Sequence, residues 1–350
     1  MAAPMRLGGG VVWSWCRRAG PPRLRPPLGA PRAQGSSPGG PATLGLRGPP
    51  AGAWVDGAAP LCSAAARGSA GSEAMCLGSV RCRDYEGFLC SLLVPSHARP
   101  AVIALRAFNV ELAQIREAVT DTALGRMRVQ FWRDAVEEIY SAGPPPAQPI
   151  AVELQKAVKK HKLTKRWLLR IVDERERNLS DRAYGSVGEL ETYAENTQSS
   201  LLYLTLEALG VRDIHADHAA SHIGKAQGVA TCLRAVAPLA ARRRRVFLPL
   251  DLCLLHGVSQ EQLLRGNRDR AVRDLVYDLA SQAHAHLEHA RSFSRNVPKA
   301  ATIAFLPTVA VEDFLVRIQK VDFDVFHPSL QRRNTLLPLR LYLRSWRRRY

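Results

Sequence analysis

Apolar residues recur at helical spacing along most of the chain from about residue 76 onward. Leu105, Phe108, Leu112, Ile115 and Val119 are separated by alternating steps of three and four residues, which places them on one face of a helix. The alternation of apolar and polar residues that marks a half-buried strand is essentially absent. The pattern therefore predicts an all-α protein with one large helical domain and no internal repeat.

Proline, glycine and capping residues divide this pattern into separate helices. Pro95 ends the first helix, Ser96 has the chemistry of an N-cap for the next, and Gly210 stops a later one. Ser186 and Glu189 form the S-x-x-E pattern of a capping box. Helices are predicted at about 83–94, 96–120, 122–141, 150–160, 164–178, 186–209, 214–241, 269–293, 300–320 and 335–349, with a short one after Ser259.

The N-terminal region differs from the rest in composition. Its first 75 residues contain eight arginines and no lysine, and only Asp56 and Glu73 oppose them. An arginine-rich, acid-poor N-terminus is typical of a mitochondrial transit peptide. The apolar content up to Gly71 is too low to form a core. We expect residues 1–71 to be a transit peptide and disordered segment, and residues 76–350 to form the helical domain.

The charge is strongly positive throughout. The chain carries a formal net charge of +18, and residues 76–350 keep about +12 of it. A basic surface attracts anionic lipid, an acidic partner or nucleic acid, and the charge alone does not choose among them. No window of 18 residues is both apolar and uncharged, so any membrane contact is predicted to be peripheral.

The cysteines and histidines do not form a recognisable metal motif. Seven cysteines are present without a C-x-x-C pair, which favours free thiols in a reducing compartment, with Cys90 and Cys232 in the core. His284, His286 and His289 are spaced by two and three residues, which favours surface or core histidines. No metal ligand, catalytic residue or cofactor is therefore assigned from these residues.

Several segments together resemble one known family. They are 84–95 (DYEGFLCSLLVP), 103–109 (IALRAFN), 126–132 followed by Tyr140, 229–236 (VATCLRAV), 243–249 (RRRVFLP) and 257–259 (GVS). In this order and spacing they resemble the squalene/phytoene synthase family, over about 270 residues. The resemblance implies an isoprenoid-synthase-like helical bundle around a central cavity.

The resemblance also defines what the chain has lost. Family members hold Mg²⁺ and a prenyl diphosphate between two aspartate-rich helical motifs, each with carboxylates at positions i and i+4. Here Ala113 and Glu117 stand in the first motif, near Asn109, and Ala235 and Leu239 stand in the second. Residues 218–250 contain no Asp or Glu at all. We call Asn109, Ala113, Glu117, Ala235 and Leu239 the vestigial positions, and the chain is expected to be neither an enzyme nor a metal binder.

The family includes a non-catalytic mitochondrial branch that takes part in assembly of respiratory complex I. The resemblance implies the same role here, early in membrane-arm biogenesis and through the mitochondrially encoded ND-one subunit. It further implies a matrix protein, peripheral on the matrix face of the inner membrane. Its partners would be complex I subunits or assembly intermediates, with no nucleic acid and no cofactor.

Two other functions remain open at this point. One is a prenyl-diphosphate transferase with a rearranged metal site, built from Glu111, Glu117, Asp173 and Glu174. The other is a peripheral lipid-binding protein that keeps the cavity and binds a headgroup with the arginines Arg242, Arg243, Arg244 and Arg245. These arginines could equally form a solvated loop.

The C-terminal segment is a cationic amphipathic sequence. Residues 336–350 interleave leucines and Trp346 with arginines. Such a segment can lie on a cardiolipin-rich surface, or it can be a final core helix with a basic tip.

Overall fold

The computed structural model describes residues 69–350 except residues 120, 142, 145, 146, 181 and 244. The predicted transit peptide and disordered segment lie outside the described residues as far as residue 68. Within the described part, which falls in the unit formed by residues 64–350, the chain is helical and has no strand. The α-helices are α1 (Ser69–Arg83), α2 (Tyr85–Leu92), α3 (Arg99–Ala118), α4 (Thr122–Tyr140), α5 (Pro149–His161), α6 (Lys165–Arg177), α7 (Val187–Ala194), α8 (Ser200–Ala208), α9 (Ile214–Arg243), α10 (Leu250–Leu255), α11 (Gln260–Leu264), α12 (Arg270–Ser292), α13 (Pro307–Lys320) and α14 (Leu337–Trp346).

The all-α prediction is confirmed, and two helix starts differ from it. Helix α1 begins at Ser69, a few residues before the predicted start of the helical domain, and its Cys76 and Val80 are buried. Helix α3 begins at Arg99, with Ala98 as N-cap and a proline in its first turn. Ser96 therefore does not cap it, because Pro100 fixes the helical start without needing an N–H partner.

Two large hydrophobic cores hold the described helices together. The first joins α1, α3, α4, α5, α6 and α8, and Phe108 and Trp132 meet edge to face in it at 5.3 Å. The second joins α9, α12 and α13 around Leu233, Leu275 and Phe314. Helices α3 and α9 belong to different cores, and both also contribute residues to the central cavity.

A π-helical turn, Glu195–Ser199, interrupts the helix formed by α7 and α8. It faces α9, where a Cβ added to Gly224 would lie only 2.4 Å from the Ser199 backbone nitrogen. Gly228 makes a similar approach, because its added Cβ would lie 2.3 Å from the Ala194 Cβ. The two glycines therefore let α9 pack directly against the backbone of this segment.

Helix α14 has one packed face and one exposed face. Leu337 and Leu341 are buried beside Cys90, Leu306 and Val309. On the other face the exposed apolar side chains are Leu339, Tyr342, Leu343 and Trp346. The buried leucines fit the prediction of a final core helix, and contact of the exposed face with a lipid surface stays a prediction. Among the described helices, none combines the length and apolar character that crossing a membrane would need.

Candidate functional site

A cavity of about 620 Å³ opens between α2, α3, α6, α7, α9 and α13. The structure brings the five vestigial positions together in its wall, with Asn109, Ala113 and Glu117 on α3 and Ala235 and Leu239 on α9. Their steps of four residues on each helix keep these side chains on the cavity-facing side. The positions identified from the sequence therefore share one site.

Few carboxylates line this cavity. Among its described lining residues they are Asp84, Glu86 and Glu117. Asp84 lies 2.7 Å from Arg106, and Glu86 lies 2.5 Å from Arg234. Glu117 is exposed. Because two of these three carboxylates are already paired with arginines, the described lining offers fewer free carboxylate oxygens than a Mg²⁺-diphosphate cluster uses.

Arginines dominate the lining instead. Eight of the described lining residues are arginines: Arg83, Arg106, Arg116, Arg175, Arg234, Arg243, Arg245 and Arg333. The guanidinium of Arg116 lies 3.8 Å from the centre of the Phe247 ring, and that of Arg333 lies 4.3 Å from the Tyr85 ring. Such stacking holds a guanidinium in place while it stays charged. The cavity is therefore suited to an anion and not to a cation.

Arg175 is the arginine most deeply involved with the vestigial positions. It donates to Asn109 Oδ1 at 3.0 Å and to the hydroxyl of Tyr193. Its buried Nε has no hydrogen-bond partner within the described residues. The side chain is thus held by neutral groups, so its positive charge faces the cavity without a paired carboxylate in these contacts.

Asp84 and Arg106 form the best-defined ion pair of the site. Asp84 caps α2 by accepting from the Gly87 N–H at 3.0 Å, and it also holds the buried Arg106 guanidinium. Burial alone would lower the pKa of Arg106, but the adjacent carboxylate outweighs it and the pKa is raised. A Cβ added to Gly87 would lie 2.1 Å from both side chains, so this contact requires glycine.

The predicted arginine cluster is only partly in the site. Arg243 and Arg245 line the cavity, whereas Arg242 is exposed and is not among the lining residues. Arg244 lies outside the described residues. Arg243 donates to the Glu117 backbone carbonyl at 2.9 Å, near the C-terminal end of α3. A cation there complements the negative end of the helix.

The carboxylates of the hypothetical rearranged metal site do not converge. Of the four, only Glu117 lines the cavity. Asp173 lies 2.8 Å from Arg133, and Glu174 accepts from Asn196 at 2.7 Å. The fourth, Glu111, is not a lining residue, and burial raises its pKa. The prediction of a rearranged carboxylate site is therefore wrong, because its members belong to other contacts.

The sequence did not single out Arg106, Arg175 and Arg234 as site residues. A signal for Arg106 was present, because Arg106, Asn109 and Ala113 follow steps of three and four residues on α3. That spacing places the arginine on the same helix face as the vestigial positions. Arg175, by contrast, reaches Asn109 across 66 residues of sequence, so only the packed fold reveals it.

A helical bundle around a cavity lined by α3 and α9 is the architecture that the sequence resemblance predicts. The family model for squalene/phytoene synthase matches residues 80–342, and the chain belongs to this family. The chain is 60% identical over 325 residues to a Bos taurus protein named "NADH dehydrogenase (ubiquinone) complex I, assembly factor 6", with 89% of this chain and 97% of the relative covered. The Homo sapiens protein of the same name is 63% identical over 290 residues, covering 83% and 86%. A Drosophila melanogaster homolog is 42% identical, covering 79% and 84%.

Solved structures of synthases share the fold. Squalene synthase HpnC from Alicyclobacillus acidocaldarius matches with a TM-score of 0.64 and 19% identity, covering 73% of this chain and 95% of that one. A dehydrosqualene synthase in complex with ligand matches with a TM-score of 0.68 and 16% identity, covering 80% and 96%. The predicted isoprenoid-synthase-like bundle is thereby confirmed.

Proposed function

We propose that this chain is an assembly factor for mitochondrial respiratory complex I. The observation that carries the proposal is its identity of 60% or more, over most of both chains, to relatives that are named for that role. The arginine-rich N-terminus supports import into mitochondria. The direct test is native-gel analysis of complex I in cells that lack the protein. Loss of assembled complex, restored by the wild-type chain, is expected; normal assembly without the protein would refute the proposal.

The role proposed is non-enzymatic. A synthase would need carboxylates at the vestigial positions to hold Mg²⁺ and diphosphate. Those positions carry Asn109, Ala113, Ala235 and Leu239, besides the exposed Glu117. The cavity then serves to bind or shape a partner. Incubation of the purified chain with Mg²⁺ and prenyl diphosphates should release no diphosphate, and turnover above a heat-denatured control would contradict this part of the proposal.

The finer role is action on the mitochondrially encoded ND-one subunit early in membrane-arm biogenesis. Pulse-labelling of mitochondrial translation products can follow each encoded subunit separately. In cells without the protein, newly made ND-one subunit should be synthesised normally and then degraded faster than the other labelled subunits. If all the labelled complex I subunits decay equally, the ND-one route is excluded while the assembly role still stands.

The matrix face of the inner membrane is the proposed location, with helix α14 as a peripheral contact. Its exposed face carries Leu339, Tyr342 and Trp346, and the exposed arginines 347–349 follow the helix directly. Aromatic side chains favour the interface between lipid and water. Arginines are attracted to the anionic lipid headgroups at that interface. Arg340 and Arg344 are anchored to Asp313 and Glu312, so the helix keeps a fixed orientation.

A second candidate function is binding of an anionic lipid in the cavity. The excess of arginines over carboxylates in its lining favours this, together with apolar neighbours such as Val236 and Leu337. Native mass spectrometry of protein isolated from mitochondria would show a co-purifying phospholipid or prenyl phosphate. An Arg175→Gln variant should lose that ligand, whereas Arg212→Gln on the exposed surface should keep it. Equal retention by both variants would place the ligand elsewhere.

A further inference from the structure

Helices α9 and α12 pack along each other, and their facing surfaces carry histidines at helical spacing. His218 and His222 are four residues apart on α9, and His286 and His289 are three apart on α12. Both spacings place two side chains on one helix face. The ring of His222 lies 4.1 Å from that of His289 and 5.2 Å from that of His286, centre to centre. Four imidazoles thus meet at this helix contact.

Three of these side chains direct a nitrogen toward a common point. One ring nitrogen from each of His218, His222 and His289 lies within 4.8 Å of the other two. Three nitrogens bound to a tetrahedral zinc ion at about 2.0–2.1 Å lie about 3.4 Å from one another. His218 and His289 are exposed, so side-chain rotation can close this gap without moving either helix. Their exposure also gives an ion direct access from solvent.

A metal ion binds a neutral imidazole, because only this form has a free lone pair. His222 is the half-buried member of the group, and His218 and His289 are exposed. Glu191 is the carboxylate that faces the group, and it lies beside His286.

Glu191 and His286 fix the orientation of His222. Nε2 of His286 lies 3.2 Å from Glu191 Oε1, and the two Nδ1 atoms of His286 and His222 are 2.9 Å apart. Contact through these two Nδ1 atoms leaves the Nε2 of His222 as the ring nitrogen that can bind a metal ion. Metal-binding histidines are commonly oriented by an outer partner in this way.

We propose that His218, His222 and His289 form a binding site for a divalent first-row transition ion such as Zn²⁺, with His286 and Glu191 as positioning residues. Three imidazoles without a thiolate suit Zn²⁺ and its neighbours in that row, whereas Mg²⁺ and Ca²⁺ require oxygen ligands. Three protein ligands leave the fourth tetrahedral position to water. A bound ion would bridge α9 to α12. None of the four histidines is among the residues that line the central cavity, so this site is separate from the vestigial one.

Aromatic packing alone is the alternative explanation of the cluster. The Phe293 ring lies 4.9 Å from His218 and 5.3 Å from His289, in edge-to-face contacts. Packing of this kind would stabilise the helix contact equally well if other aromatic side chains replaced the histidines. It would give no metal affinity, so a binding measurement separates the two explanations.

The test uses the full-length chain without a polyhistidine tag, stripped of metal with a chelator and titrated with Zn²⁺ by calorimetry. We expect one ion per chain and a thermal midpoint that rises with zinc concentration. Binding should be at least tenfold weaker in the His218→Gln/His289→Gln double variant, which removes two exposed ligands without emptying the core. His286→Ala should weaken binding about 10–100-fold through the loss of orientation.

His215→Gln provides the matched control, because His215 lies on α9 near Phe293 but outside the three-histidine group. Its zinc affinity should equal that of the wild type. Co²⁺ binding supplies a readout that does not depend on any variant: the wild-type complex should show the intense visible absorption of a tetrahedral ion. Absence of zinc binding by the wild type, an octahedral cobalt spectrum, or unchanged affinity in a folded double variant would overturn the proposal.

Discussion

Gly224 shows how closely α9 packs against the π-helical turn. An added Cβ would lie 2.4 Å from the Ser199 backbone nitrogen and 2.6 Å from its Cα, and backbone atoms cannot move aside as a side-chain tip can. Gly224→Ala is therefore expected to lower the free energy of unfolding by about 1–3 kcal/mol. Chemical denaturation monitored by circular dichroism measures this change.

Gly78→Ala is the matched substitution, because Gly78 is also helical but has open space around its Cα. Gly78→Ala should raise the free energy of unfolding by as much as about 1 kcal/mol, because alanine favours a helix more than glycine does. Opposite signs for the two variants are the expected result. Equal changes in unfolding free energy would mean that Gly224 of α9 does not pack closely against the backbone of Ser199.

The Asp84–Arg106 pair gives a second prediction about single side chains. Arg106 is buried, so Asp84→Asn leaves its charge without the carboxylate and should cost about 3 kcal/mol of unfolding free energy. Arg106→Met alone should also destabilise, because Asp84 then loses its partner. The Asp84→Asn/Arg106→Met double variant should lose clearly less than the sum of the two single variants. Strictly additive losses would contradict a direct interaction between these side chains.

The exposed face of α14 leads to a prediction about membrane contact. Trp346 is 74% exposed, and the exposed Arg347, Arg348 and Arg349 follow it directly. Tyr342→Ala/Trp346→Ala should weaken binding to cardiolipin-containing vesicles at least tenfold, because each aromatic group contributes roughly 1–2 kcal/mol at the interface. Sedimentation with vesicles measures the bound fraction.

Met127→Ala on α4 controls for general loss of exposed apolar surface, because Met127 is 69% exposed. Its binding to cardiolipin-containing vesicles should remain at the wild-type level. Binding to neutral vesicles should be weak for every variant, since the exposed arginines that follow α14, residues 347–349, find no anionic headgroups there. If the double variant binds cardiolipin as well as the wild type does, α14 is not the contact.

Helix positions were predictable because capping and periodicity are local properties. Gly210 ends α8 with a φ of 74°, and Ser259 caps α11 in a full capping box. Helix α1 was less visible, because Ser, Gly and exposed polar residues dilute its apolar pattern. The π-helical turn was not predicted either, and its contact with Gly224 of a distant helix is not visible in any local pattern.

The cavity was predictable only in part. The resemblance to synthases located Ala113, Glu117, Ala235 and Leu239, and the fold places all of them in one wall. The arginines that give the cavity its charge depend on pairing between distant segments, as Arg234 and Glu86 show across 148 residues. The histidine group also spans two helices. The H-x-x-x-H spacing of His218 and His222 is visible in the sequence. That His289 lies beside these two histidines is visible only in the fold.

The proposed account joins these features in one protein: a synthase-type bundle whose cavity has exchanged carboxylates for arginines. We expect such a protein to act by binding, and loss of Glu117, the exposed carboxylate among the described lining residues, should be harmless. Glu117→Ala tests this point. The variant keeps the hydrogen bond from Arg243, because Arg243 donates to the backbone carbonyl of residue 117 and not to its side chain. Glu261→Ala, at an exposed carboxylate on α11, is the matched control.

The decisive measurement is the amount of assembled complex I on native gels of mitochondria from cells that lack the protein and express one of these variants. Wild type, Glu117→Ala and Glu261→Ala should each restore complex I to the same level at equal protein abundance. If Glu117→Ala is abundant and folded but leaves complex I unassembled, then the cavity carboxylate takes part in chemistry or metal binding, and the non-catalytic account is contradicted.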